Sequence, residues 1–149
     1  MIPTLNGRLQ TRIFAILVIG GLWTLIITPI LPGTSGAPLG DLYEVTFSIL
    51  LTVLVLGIGW EFIYHGLQQF RWEKDWPTLF GLLTGINEGV LLWILLEAGV
   101  VPNADPAPFV RTWLTHFATT WVIVWLWLNG PMKVIFLRWR VRGGRIIGA

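Results

Sequence analysis

An all-α, polytopic membrane fold, a bundle of four transmembrane helices with both termini in the cytoplasm, is predicted by three observations. Only 12% of the 149 residues are charged, against 54% that are hydrophobic, about half the charged share of an ordinary soluble domain. The apolar residues gather in four runs, each close to the ~20 residues that cross a ~30 Å hydrocarbon core. Nine of the ten Lys and Arg residues fall on one side of such a path, the side the positive-inside rule assigns to the cytoplasm.

The first run covers about 13–31 and follows Arg8 and Arg12. With Ser35-Gly36-Ala37 beyond it, the segment has the outline of a signal peptide. Its apolar stretch nevertheless exceeds the ~7 to 15 residues of such a leader, so a retained membrane helix is expected. The second, third and fourth runs cover about 45–64, 79–101 and 109–128. Short connectors favour antiparallel neighbours, and an open sheet could not satisfy its backbone in lipid. The loops at Pro32–Gly40 and Pro102–Pro108 have turn compositions. Arg71 and Lys74 lie between the second and third runs, and five basic residues follow the fourth; Arg111 alone falls on the opposite side. The expected location is the plasma (inner) membrane, crossed several times.

Ionisable groups at bilayer depth cost about 2.5 to 3.5 kcal/mol each on insertion scales, so each needs a partner, a cavity or a neutral form. Gly57, Glu61, His65 and Gln68 recur at helical spacing along one face of the second run. In the third, Gly81, Gly85 and Gly89 form a strip against which another helix can approach closely, with Glu88 on its flank. Glu61 and Glu88 fall at similar depth on antiparallel helices and would share a proton if they met. Glu61, His65 and Glu88 are therefore the candidate intramembrane proton, ion or inter-helix site. The third helix is the expected centre of packing.

The fourth run carries Thr112, Thr115, His116 and Thr119 near its outer end, where threonines can bond their own i−4 carbonyls or a facing helix. Glu97 and Arg111 flank the outer loop and form a candidate ion pair. His65 and His116 are expected at opposite ends of the bundle, too far apart to hold one haem. Glu61 with His65 offers two ligands, too few for a closed metal site, and the chain has no cysteine. Neither a metal nor a cofactor is expected.

Trp72, Trp76, Trp113 and Trp139 fall near membrane boundaries, as interfacial anchors do, while Trp121, Trp125 and Trp127 lie deeper and could face lipid or a partner subunit. The basic tail, 132–149, carries Arg138, Arg140, Arg142 and Arg145, a candidate contact for anionic lipid or a partner. Basic residues confined to membrane flanks argue against nucleic acid, and no catalytic motif is present. The expected function is a non-enzymatic structural or accessory subunit of a larger membrane complex, with the bilayer and other subunits or further copies as partners. The alternative is a small proton- or cation-coupled transporter or channel using Glu61 and Glu88.

Overall fold

The computed structural model describes residues 2–148, and the regular elements among them are all helical. Ala149, the last residue of the predicted basic tail, lies outside the described residues. The first helical segment, Leu5–Ile30, begins well before the apolar run does. It consists of α1 (Leu5–Phe14), a π-helical stretch Ala15–Gly20, α2 (Gly21–Ile27) and a closing 3-10 turn Thr28–Ile30. Thr4 starts it, its Oγ1 accepting the Gly7 N–H at 3.1 Å as an N-cap. Helix therefore extends back over Arg8 and Arg12, which are buried rather than lying on a solvated flank.

The segment's inner face reads Arg8, Arg12, Ile16, Gly20, Thr24 and Thr28, all buried at a spacing of four. In a regular α-helix each four-residue step overshoots a full turn by about 40°. The wider i→i+5 turns of Ala15–Gly20 absorb part of that drift.

Helix α3 (Leu39–Gln69) has 31 residues, about 46 Å at 1.5 Å per residue and longer than the hydrocarbon core requires. Helix α4 (Thr78–Glu97) stops short of the predicted Val101. Gly99, at φ +69, closes it: the Gly99 N–H donates to the Leu96 carbonyl and the Val100 N–H to that of Leu95, each at 3.1 Å, a Schellman cap. Helix α5 (Val110–Asn129) follows, then the short α6 (Pro131–Ile135) and α7 (Leu137–Val141).

Three segments, Leu5–Ile30, Leu39–Gln69 and Thr78–Glu97, are long and apolar enough to cross a membrane. Helix α5 matches α4 in length, but Arg111, His116 and the threonines at 112, 115, 119 and 120 make its first half more polar.

The core joins Ile16 from the first segment, Ile49 and Leu50 from α3, Leu92 and Leu96 from α4 and Phe117 from α5. The first segment, rather than α4, is the central rod: α1 and α2 pack on α3, and the π-helical stretch and α2 pack on α5. Helices α4 and α5 meet across the glycine strip in a constant antiparallel register. A Cβ added at Gly85 would stand 2.6 Å from Trp121 Nε1, and one at Gly89 would stand 2.9 Å from Phe117. At Gly81 the nearest atom, on Trp125, is 3.6 Å away. Trp121 and Trp125 thus face this strip, and their indole N–H groups donate to the carbonyls of Gly81 (3.2 Å) and Thr78 (2.9 Å).

The tail folds back onto α1. The Thr4 N–H donates to the Gly143 carbonyl at 2.9 Å, the Thr11 hydroxyl faces the carbonyls of Gly7 at 2.7 Å and Gly144 at 3.0 Å, and Trp139 Nε1 donates to Thr11 Oγ1 at 2.7 Å. Gln10 Oε1 accepts the Ile146 and Ile147 N–H groups. A Cβ at Gly7 would fall 1.9 Å from the Gly143 carbonyl oxygen, so only glycine admits this approach. At the same end Gln68 Nε2 donates to the carbonyls of Pro3 and Lys74. At the other, Thr112 Oγ1 donates to the Pro32 carbonyl at 2.7 Å.

Candidate functional site

The buried charges form one network joining α1, α3 and α4. Arg12 lies between the two deep carboxylates. Its Nη1 and Nη2 donate to Glu88 Oε2 (2.9 Å) and Oε1 (2.8 Å) as a two-pronged fork. Its Nε and Nη2 converge on Glu61 Oε1 at 2.9 and 2.7 Å. Arg8 occupies the other Glu61 oxygen, Nη1 to Oε2 at 3.2 Å, and its Nε and Nη2 donate to Gln68 Oε1 at 3.0 and 2.6 Å. Tyr64 OH donates to Glu88 Oε1 at 2.9 Å and accepts from Asn87 Nδ2 at 2.8 Å.

Two arginines balance two carboxylates, each acceptor oxygen is engaged, and all four charged side chains are buried. Such a set is stable inside a low-dielectric interior only when complete, because losing one partner leaves an uncompensated charge. The arrangement corrects the expectation that Glu61 and Glu88 meet by sharing a proton. A guanidinium bridges them, and every carboxylate oxygen accepts at least one hydrogen bond from Arg12, Arg8 or Tyr64.

Helical phase explains which α3 residues join. Taking Gly57 as zero and ~100° per residue, Glu61 lies at about +40°, Gln68 at +20°, Tyr64 at −20° and His65 at +80°. Tyr64 belongs to the face and His65 drifts from it: His65 is half-buried and its ring bonds Gln69 on its own helix. Gly57 leaves room for Arg12, whose Cδ, Nε and Cζ would lie 3.1 Å from a Cβ there.

Aromatic rings flank the cations. Arg8 Cζ sits 4.6 Å from the centre of the Trp76 ring, and Arg12 Cζ sits 5.4 Å from that of Trp121, within cation–π range. Trp113 and Trp139 are buried and the half-buried Trp76 lies against Arg8, so these three face protein rather than serving simply as interfacial anchors; Trp72 is 99% exposed.

Beside the network lies a cavity of about 460 Å³ between α1, α4, α5 and the tail. Arg8, Arg12 and Glu61 form part of its wall, Glu88 does not, and Trp121 and Trp125 line its apolar side. Lys133 and Arg140 of the tail also line it. At the far end of the bundle a second polar cluster ties the first segment to α3 and α5. Thr24 Oγ1 and His116 Nε2 lie 2.9 Å apart, and the Thr28 and Thr46 hydroxyls 3.0 Å apart. Thr115, Thr119 and Thr120 bond i−4 carbonyls, and Trp23 Nε1 donates to Thr119 Oγ1 at 3.0 Å.

The remaining expected sites stay apart. Glu97 is exposed and within ion-pair distance of no described base, while Arg111 lies over the Phe109 ring. In place of the pair predicted across the outer loop, Arg111 makes a cation–ring contact with Phe109. Of the tail arginines, Arg138 donates to the Gly148 carbonyl, Arg140 lines the cavity, Arg142 is exposed and Arg145 is half-buried. Among the described residues no three His, Asp or Glu side chains gather as metal ligands.

Fold and site together define an all-helical protein whose long apolar helices are compatible with a membrane and are cross-tied by buried ion pairs. No protein-family model matches the sequence, and comparisons with curated proteins and with solved structures find no match.

Proposed function

We propose that this chain is a four-crossing plasma-membrane protein with both ends in the cytoplasm, acting as a non-enzymatic accessory subunit of a larger membrane assembly. The observation that carries this reading is the Arg12 clasp. Both deep carboxylates are spent on joining α1, α3 and α4, which favours architecture over chemistry at this site. Outward faces bearing Val55, Phe62, Ile86 and Trp93 are apolar and exposed, a surface that suits lipid and a neighbouring subunit alike. Four crossings follow if α5, which matches α4 in length, spans with its threonines and His116 turned inward.

Purification in a gentle detergent followed by mass spectrometry is expected to recover stoichiometric membrane partners; a lone monomer would refute the subunit role. Because the chain lacks cysteine, single cysteines at Ser35, Glu73, Asn103 and Ile147 report topology. Positions 35 and 103 should react with an impermeant thiol reagent from outside, and 73 and 147 only after permeabilisation. The transport alternative draws on one observation, the cavity that reaches Glu61. Its test is proton and cation flux in liposomes, with Glu61→Gln expected to abolish any flux that the wild type shows.

A further inference from the structure

We infer that the cavity between α1, α4, α5 and the tail holds one anionic amphiphile, a membrane phospholipid whose phosphate meets Lys133 and Arg140 while its apolar part lies along Trp121 and Trp125. Charge is the first argument. Among the described residues Glu61 is the one acid lining the cavity, and both its oxygens accept from Arg8 and Arg12. No acid among the described residues lies within 4.0 Å of Lys133 or Arg140. Once the Arg8 and Arg12 charges are balanced by Glu61 and Glu88, two cations remain at the tail side. The lining therefore attracts an anion, and an arginine and a lysine on one cavity wall suit a phosphate.

Shape and polarity supply the rest. About 460 Å³ falls within the ~300 to 1,000 Å³ of ordinary ligand cavities, far more than a bare phosphate fills. Apart from the cations and from the internally paired Arg8, Arg12 and Glu61, the wall includes Ile16, Trp121, Val124 and Leu128, an apolar side that suits an acyl chain. The space exists because α1 and α4 are joined through Arg12 and Glu88 rather than by close backbone packing. Cations at the end of the spans with apolar walls deeper in reproduce the polarity gradient of one bilayer leaflet, so a phospholipid can enter with its head and chains in register.

The inference rests on the membrane reading and not on the subunit reading, since lipid retention is measured on the lone chain. Phosphatidylglycerol and phosphatidylcholine, which share a phosphate and chains but differ in net charge, are titrated against the purified full chain in detergent and counted by native mass spectrometry. One phosphatidylglycerol per chain should be retained, in preference to phosphatidylcholine. Lys133→Gln with Arg140→Gln should weaken it about thirtyfold, at roughly fivefold per basic residue. Lys133→Arg with Arg140→Lys should restore it, which separates charge from folding. Arg138→Gln, in the same tail but not lining the cavity, should stay within about twofold of wild type by the same reasoning. Equal retention of the two lipids, an equal loss in Arg138→Gln, or displacement by inorganic phosphate at lipid-like concentrations would overturn the inference.

Discussion

Replacing Arg12 by methionine removes the guanidinium while keeping an unbranched apolar side chain at the centre of the network. Four hydrogen bonds of 2.7 to 2.9 Å disappear and two buried carboxylates lose their shared cation. Breaking a buried ion pair from one side costs about 3–5 kcal/mol, a shift of roughly 150- to 5,000-fold in the folding equilibrium at a tenfold change per 1.36 kcal/mol. The two carboxylates are not left equal. Glu61 keeps Arg8 at 3.2 Å, whereas Glu88 keeps only the neutral donor Tyr64. Glu88→Gln should therefore recover more of the loss in the Arg12→Met background than Glu61→Gln does, although each substitution is destabilising by itself. Equilibrium unfolding in mixed micelles, followed by the fluorescence of the ten tryptophans, measures all six proteins. A loss below about 1 kcal/mol for Arg12→Met, the range of exposed pairs, would refute the clasp, as would additive effects of Arg12→Met and Glu88→Gln.

Gly85→Ala should cost about 1–3 kcal/mol through overpacking against Trp121 and less beside Trp121→Phe, while Gly81→Ala, with 3.6 Å of clearance, should be close to neutral in the same unfolding assay. Thr11→Val removes the hydroxyl that accepts from Trp139, a bond of about 0.5–1.5 kcal/mol. Trypsin should then cut the Arg138–Arg145 tail at least about twofold faster, and an unchanged rate would count against tail docking. His116→Leu strands the buried Thr24 hydroxyl and should cost about 1–3 kcal/mol, most of it recovered by Thr24→Val; equal stability of the single and double variants would show that the contact carries no energy.

The periodic features were legible in the sequence. Runs of about twenty apolar residues located the long helices, and the four-residue glycine spacing located the α4 face that meets α5. Its complement was equally present and went unread: Phe117, Trp121 and Trp125 repeat at the same interval and fit against that strip. Glu61 and Glu88 were marked by the cost of burying a carboxylate. Their partner was missed because positive residues beside an apolar run are most simply read as a cytoplasmic flank. The available signal was the stripe from Arg8 through Thr28, which continues the basic positions into an apolar helix at constant spacing. Long-range docking of the tail on Thr4, Gln10 and Thr11 has no local signature, since Arg-Val-Arg-Gly-Gly is compatible with a free segment as much as with a folded one.

That stripe also explains why the first segment leaves regular α-helical geometry. Its polar groups form two tiers, Arg8 and Arg12 at one end and Thr24 and Thr28 at the other, with Ile16 and Gly20 between them. At about 100° per residue, an uninterrupted α-helix would set Thr28 some 200° away from Arg8. One tier would then face outward, leaving either a guanidinium or a row of hydroxyls without its protein partners in lipid. The underwound Ala15–Gly20 stretch lies between the tiers and turns both toward the interior, where one meets Glu61 and Glu88 and the other meets Thr46 and His116. Gly20 and Gly21 suit this stretch because neither adds a side chain to a widened turn, and Gly20 sits close to Leu50 and Thr120 on α3 and α5. The π-helical geometry is thus the local condition that lets a single rod serve two polar clusters at opposite ends of the same bundle.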